Sequence, residues 1–256
     1  MGKLVKHQNY PITSIGKLRT PGEYVGLKNL GATCYMASSL QALSRISFLR
    51  DLVLNTVTVQ DEKWFYELQK LFLELLWSPQ TYVDPTHFVK NFDMYGEPIN
   101  PRIQQDASEF IQFFIDRIND YVPNSPLEGK VMGIFNHAIE GTSVDFRTNH
   151  NSKFSFVSVE VKSHDNLESA IEEFRKPQKL SGSNMYKSDE FGLIDAMQNI
   201  SVKTLPSTLI IHLKRFGFDV SSLRGYKINS KLIFPAELDP SVLMESPVDF
   251  KMHLSS

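Results

Sequence analysis

Gly26-Leu27-Lys28-Asn29-Leu30-Gly31-Ala32-Thr33-Cys34-Tyr35-Met36 is the stretch on which the reading of this chain turns. It carries the only cysteine, Cys34, which excludes an intrachain disulfide and a zinc site built on several thiolates. Gly26, Asn29 and Gly31 mark a loop. Met36, Leu40 and Leu43, and then Ile46 to Leu54, continue as a helical pattern. The sulfur therefore falls at or beside a helix N-terminus, where the dipole and unpaired N–H groups favour the thiolate, the nucleophilic form. Asn29, upstream in the same loop, is placed to donate its side-chain amide to a developing oxyanion. On these residues alone the other reading of a lone cysteine, a small buried hydrophobe, stays open.

Outward from this loop the first half reads as helical. Asp61 to Trp77 sets Trp64, Phe65, Leu68, Leu71, Phe72, Leu75 and Leu76 on one stripe. Asp84-Pro85 supplies an N-cap and a first-turn proline for a short helix through Phe92. A further helix spans about Asp106 to Val122, with Ala107, Phe110, Ile111, Phe114, Ile118 and Tyr121 inward. From about Val131 the texture turns to strands. Lys153 to Val161 alternates valines, Leu167 to Phe174 is a helical interlude, and Ser181-Gly182-Ser183-Asn184 is a turn. Thr208 to Phe216 reads as the strongest strand, with Ile228 and Leu232 to Phe234 as its partner. Helices first and strands later predict an α+β fold.

Composition bounds the function. The chain has 256 residues, 41% of them hydrophobic and 22% charged, enough to bury a core. A net charge of −2 leaves no basic footprint for nucleic acid. No apolar run approaches the roughly 20 residues of a membrane span, and Met1 to Lys6 lacks a signal-peptide pattern. We expect an intracellular protein, cytoplasmic and nuclear, with no nucleic-acid or membrane partner and no cofactor; the oligomeric state is not readable.

Three further blocks complete a pattern. They are Gln104-Gln105-Asp106-Ala107-Ser108-Glu109-Phe110; Leu205-Pro206 with Leu209 and Leu213-Lys214-Arg215-Phe216; and Phe234-Pro235 with Leu238-Asp239. With the cysteine stretch, extended by Ser38, Leu40 and Gln41, they closely resemble the ubiquitin-specific proteases, in that family's order. The resemblance implies a papain-like right-hand architecture: a helical thumb, a β palm and β fingers gripping ubiquitin. Its segments here are a leader (1–21), a thumb with the nucleophile (22–125), and fingers and palm (126–256). It also implies that Cys34 attacks the carbonyl of ubiquitin's terminal glycine while Asn29 helps hold the oxyanion. Gln104, Asp106, Glu109 and Phe216 become candidate ubiquitin-binding residues, Asp106 facing the basic tail through charge-assisted bonds. A helix-start acid is the plainer alternative for Asp106. The implied partners are ubiquitin and ubiquitinated proteins.

Departures from the family matter too. Most members carry two Cys-x-x-Cys pairs that bind zinc at the fingertips; here Ser188 and Phe191 stand near the second pair's place and the first is also gone, so no metal is expected. Ala32 and Ala37 replace asparagines common in the cysteine box. The family's histidine comes from a later block resembling His-x-Gly…Gly-His-Tyr, which does not occur among these residues. Phe250 to Leu254 resembles the strand leading into it, and none of the seven histidines is assigned as base. Two readings follow: a thiol hydrolase cleaving thioester or isopeptide bonds at ubiquitin's C-terminal glycine, with turnover limited by the missing base, or a truncated, inactive ubiquitin-binding module of the same fold.

Overall fold

Helices fill the first part of the chain and strands the second, in the α+β order read from the sequence. The computed structural model describes residues 18–20, 22–58, 62–122, 127–244 and 251–254. Most of the expected leader, together with His7, Asp61 and Phe250, lies outside the described residues. Two compact units divide the chain, one running through Phe113 and one from Phe114.

In the first unit, β1 (Gly26–Leu27) leads through the cysteine loop into α1 (Cys34–Leu43) and α2 (Ser47–Asn55). The sequence predicts one continuous helical stretch here; two helices form instead. The Ser44 hydroxyl donates to the Gln41 carbonyl at 2.9 Å, and Ile46 N–H turns back to Leu43 at 3.1 Å. Such local bonding competes with helix continuation. Next come α3 (Lys63–Trp77), β2 (Tyr82–Val83) parallel to β1, and α4 (Thr86–Asn91). The hairpin of β3 (Asp93–Met94) and β4 (Glu97–Pro98) precedes α5 (Ala107–Tyr121), which crosses the division between units.

The predicted stripe of α3 is buried at Trp64, Phe65, Leu68, Leu71, Phe72 and Leu75, while Leu76 is half-buried. Phe92 joins three elements. It stacks on Phe88 at 5.0 Å and meets Trp64 and Phe110 edge-on at 5.7 and 6.1 Å. Truncating a buried phenylalanine of this kind costs about 3–5 kcal/mol. On α5 the buried residues are Phe110, Phe114, Ile115 and Ile118; Ala107, Ile111 and Tyr121, expected inward, are half-buried. α4 starts at Thr86 with Pro85, not the expected Asp84, in the N-cap place and no side-chain capping bond; Asp84 Oδ1 accepts from Thr86 N–H at 2.9 Å in a turn one residue earlier.

The second unit is built on a four-stranded antiparallel sheet ordered β6-β5-β11-β8. Its strands are β5 (Gly133–Gly141), β6 (Arg147–Phe154), β8 (Gln178–Leu180) and β11 (Ala196–Thr204). Also here are β7 (Val157–Glu160), α6 (Leu167–Arg175) and the hairpin of β9 (Tyr186–Ser188) and β10 (Gly192–Ile194). Asn166 caps α6 by accepting from Ser169 N–H at 2.8 Å. Phe154, Val157, Val159, Leu167, Ala170, Ile171, Val202, Leu238 and Leu243 form the core.

The strand expected over Thr208 to Phe216 is two strands, β12 (Ile211–Lys214) and β13 (Phe216–Asp219), separated at Arg215. Its partner is also different from the expected one. β12 pairs in parallel with β7, setting Ile211 opposite Val157 and Leu213 opposite Val159. β7 carries buried valines, so this pairing keeps both apolar runs against the core, whereas Ile233 is 56% exposed. β13 pairs with β14 (Arg224–Lys227), and β15 (Glu237–Leu238) pairs with β16 (Met252–His253). Ile228 instead exchanges bonds with Arg215: its N–H donates to the Arg215 carbonyl at 2.7 Å and its carbonyl accepts from the Arg215 guanidinium at 3.3 Å.

Candidate active site

Cys34 is the first residue of α1 and its side chain is exposed, which disposes of the buried-hydrophobe reading. The loop before it is tied by a compact hydrogen-bond system. Asn29 Oδ1 accepts from Gly31 N–H at 3.1 Å, Thr33 N–H at 3.2 Å and the Thr33 hydroxyl at 3.1 Å. The same hydroxyl accepts from Leu30 N–H at 3.0 Å. Asn29 Nδ2 makes no hydrogen bond among the described residues, and the residue is exposed. Carbonyl oxygen inward and amide outward is the polarity that an oxyanion donor needs.

The loop is anchored from two sides. Ala32 N–H donates to the Pro101 carbonyl at 2.7 Å, and Gln41 Nε2 donates to the Val25 carbonyl at 2.7 Å. Because Ala32 acts through its backbone, the asparagine missing at this position does not open the loop. Tyr35 meets Phe110 of α5 edge-on at 5.7 Å. Its hydroxyl is buried with no partner among the described residues; burial first, and the neighbouring Cys34 second, push its pKa up. An ion pair between Lys28 Nζ and Asp84 Oδ2, 2.9 Å apart, links the residue after β1 to the start of α4.

Gln104, Asp106 and Glu109 lie on the segment that begins α5, all exposed. The backbone and ring contacts above therefore bring the cysteine loop and this second block together. Asp106 Oδ1 accepts from Ser108 N–H at 2.7 Å, from the Ser108 hydroxyl, and from Glu109 N–H at 3.2 Å. It is the N-cap of α5. Phe216 belongs to the second unit, on β13, and is 76% exposed. Thr33 and Pro101 are site residues that sequence reasoning passes over. Thr33 stands next to the cysteine but carries no periodicity, and Pro101 is known only by the fold.

His137 and His150 stack across β5 and β6 at 4.5 Å, and His212 Nδ1 lies 3.0 Å from Ser158 Oγ. His253 Nδ1 is 3.7 Å from Glu237 Oε1. His87 lines a pocket of about 270 Å³ with Glu74 and Asp84, beside α3 and α4. In the second unit, Leu205 to Leu209 and Lys251 to Leu254, separate stretches in the sequence, line a cavity of about 560 Å³.

At the β9–β10 hairpin the residues do not fit zinc. Ser188 is buried, and its Oγ accepts from Glu190 N–H at 3.2 Å and Phe191 N–H at 3.3 Å. Phe146 packs against Tyr186 and Phe191 at 5.6 and 6.3 Å. A hydroxyl-tied turn and an aromatic cluster occupy the place where thiolates would stand, and no group of three ligating side chains occurs among the described residues.

The family model described as "Ubiquitin carboxyl-terminal hydrolase" matches residues 25–254. The chain belongs to this family. It is 33% identical over 231 residues to ubiquitin carboxyl-terminal hydrolase 24 of Mus musculus, covering 85% of this chain and 9% of that protein. To ubiquitin carboxyl-terminal hydrolase 34 of Homo sapiens it is 31% identical over 243 residues, 92% of this chain and 7% of that protein. To ubiquitin C-terminal hydrolase 12 of Arabidopsis thaliana it is 30% identical over 224 residues, 84% of this chain and 20% of that protein. The chain thus spans under a quarter of the length of each of these relatives. The resemblance to ubiquitin-specific proteases read from the four blocks holds, and with it the family's α+β fold class.

Proposed function

We propose that the chain is a deubiquitinase-type thiol hydrolase acting at the C-terminal glycine of ubiquitin. The observation that carries this reading is the exposed Cys34 at the start of α1, directly after a loop that holds Asn29 with its amide outward. The sulfur forms a bond to the glycine carbonyl carbon, its thiol proton passing to solvent, and the carbonyl π pair moves onto oxygen, where the Asn29 amide stabilises it. Collapse expels the leaving group, an amine that needs a proton or a thiolate that does not, and leaves a thioester that water then cleaves. Amide cleavage and deacylation each gain roughly 10²–10⁴-fold from a positioned acid or base. None of the described histidines is assigned to that role, so thioesters are the more accessible substrates for these residues. Ubiquitin and ubiquitinated proteins are the partners. Gln104, Asp106, Glu109 and Phe216 are the proposed contacts, and a free exposed thiol suits the reducing cytoplasm and nucleus.

The test is a ubiquitin C-terminal thioester mixed with the chain in excess of its concentration. The reading expects a burst of one equivalent of released thiol and a ubiquitin–Cys34 thioester, both absent from Cys34→Ala. A folded chain that binds ubiquitin but gives no burst supports the binding-module reading instead.

A further inference from the structure

Thr33 is fully buried, yet its hydroxyl is engaged twice, accepting from Leu30 N–H and donating to Asn29 Oδ1. A side-chain amide has two ends that differ only in which atom donates. Here three donors converge on one end: the Gly31 N–H, the Thr33 N–H and the Thr33 O–H. Only an oxygen satisfies all three, so the amide's orientation is dictated by chemistry. The hydroxyl accepts from the Leu30 N–H and turns its own hydrogen to Asn29 Oδ1, because the two backbone N–H groups already leave no place for an NH₂ at that end. Gly31 supplies its N–H from a φ of +134°, with Pro101 against it. The loop is therefore built around one side chain, and the residue that closes it precedes the nucleophile.

We infer that Thr33 is a positioning residue for the reaction: its hydroxyl locks the Asn29 carboxamide so that only the NH₂ group is presented to the oxyanion. This inference deepens the proposed function and rests on it. Thr33 itself touches no reacting atom. Its effect acts through Asn29, and should appear only where an oxygen takes up charge.

Two ubiquitin probes separate that effect from fold and from binding. With ubiquitin aldehyde, Cys34 sulfur bonds to the aldehyde carbon, the C=O π pair moves onto oxygen, and the thiol proton ends there, giving a hemithioacetal whose oxygen sits in the oxyanion position. With a ubiquitin C-terminal 2-bromoethylamide, sulfur displaces bromide at a saturated carbon, the thiol proton passes to solvent, and no oxyanion forms. Thr33→Val should weaken the aldehyde complex by about 10–100-fold, a share of the 10²–10³ typical of losing such a donor outright. It should leave the alkylation rate within about twofold, and Thr33→Ser should restore aldehyde affinity. Equal losses on both probes would show a merely structural role, and no loss on either would show that Asn29 needs no lock; either overturns the inference. Wild-type chain that reacts with neither probe would bring down the proposed function itself, and the inference with it.

Discussion

Ala32 N–H donates to the Pro101 carbonyl at 2.7 Å, and this bond fastens the loop that carries Cys34 to the turn ahead of α5. Gly31, one residue earlier, has a φ of +134°, and a Cβ placed there would lie 2.9 Å from the same carbonyl oxygen. Both the backbone conformation and the close approach require glycine. Gly31→Ala should therefore lower stability by about 1–3 kcal/mol and slow reaction of Cys34 with a ubiquitin electrophile. Denaturant melts checked against probe labelling decide it; unchanged values in both would mean that the loop tolerates a side chain.

Asp106 has two possible contributions, and two substitutions separate them. As an N-cap it accepts two backbone N–H bonds, a function that asparagine performs about as well as aspartate. Asp106→Ala should cost about 0.5–2 kcal/mol of stability. Asp106→Asn should leave stability nearly unchanged and weaken ubiquitin binding by about 1–3 kcal/mol if its charge pairs with the basic tail. Calorimetric titration with ubiquitin is the readout. Full affinity in Asp106→Asn would reduce the residue to a cap.

The legible parts of this chain are those where the code is periodic and local. The α3 stripe from Trp64 to Leu75 could face only one core, whereas the Asn166 cap of α6 shows only in the folded chain. The parallel pairing of β7 with β12 has no such signature, because the strands are distant in sequence and either edge of an apolar run can pair. At the site, Cys34 and Asn29 stand out by chemical type. Thr33 does not, since a buried threonine reads as ordinary packing until its two hydrogen bonds are seen. Arg215 divides a run that reads as one strand, and its own N–H turns back to the Leu213 carbonyl at 2.8 Å.

His137 is held below the usual histidine pKa, by burial first and by stacked His150 second; Ser152 Oγ, Gln198 Nε2 and the Phe135 ring also lie beside it. In the folded state it therefore takes up a proton less readily than in the unfolded chain. Stability contributed by the neutral ring is present above the unfolded value near 6.5 and falls as pH drops through that range toward the folded pKa. Imidazole NMR should show His137 titrating below 6.5, and His150→Asn should shift the midpoint upward. A midpoint at or above 6.5 in the native chain would contradict this.

The β9–β10 hairpin should be indifferent to metal. Excess EDTA should leave the melting temperature unchanged, because Ser188 and the aromatic contacts of Phe146 fill the turn. Ser188→Ala should cost about 1 kcal/mol by removing the acceptor of two N–H groups. A chelator-induced drop of several degrees would reveal a bound metal ion.

The most direct measurement is reaction of the chain with ubiquitin bearing a C-terminal electrophile, read by intact mass and peptide mapping. The account expects one ubiquitin per chain, attached at Cys34, suppressed by excess unmodified ubiquitin and absent from Cys34→Ala. Folded chain that takes up no probe, or takes it up elsewhere than Cys34, would contradict it.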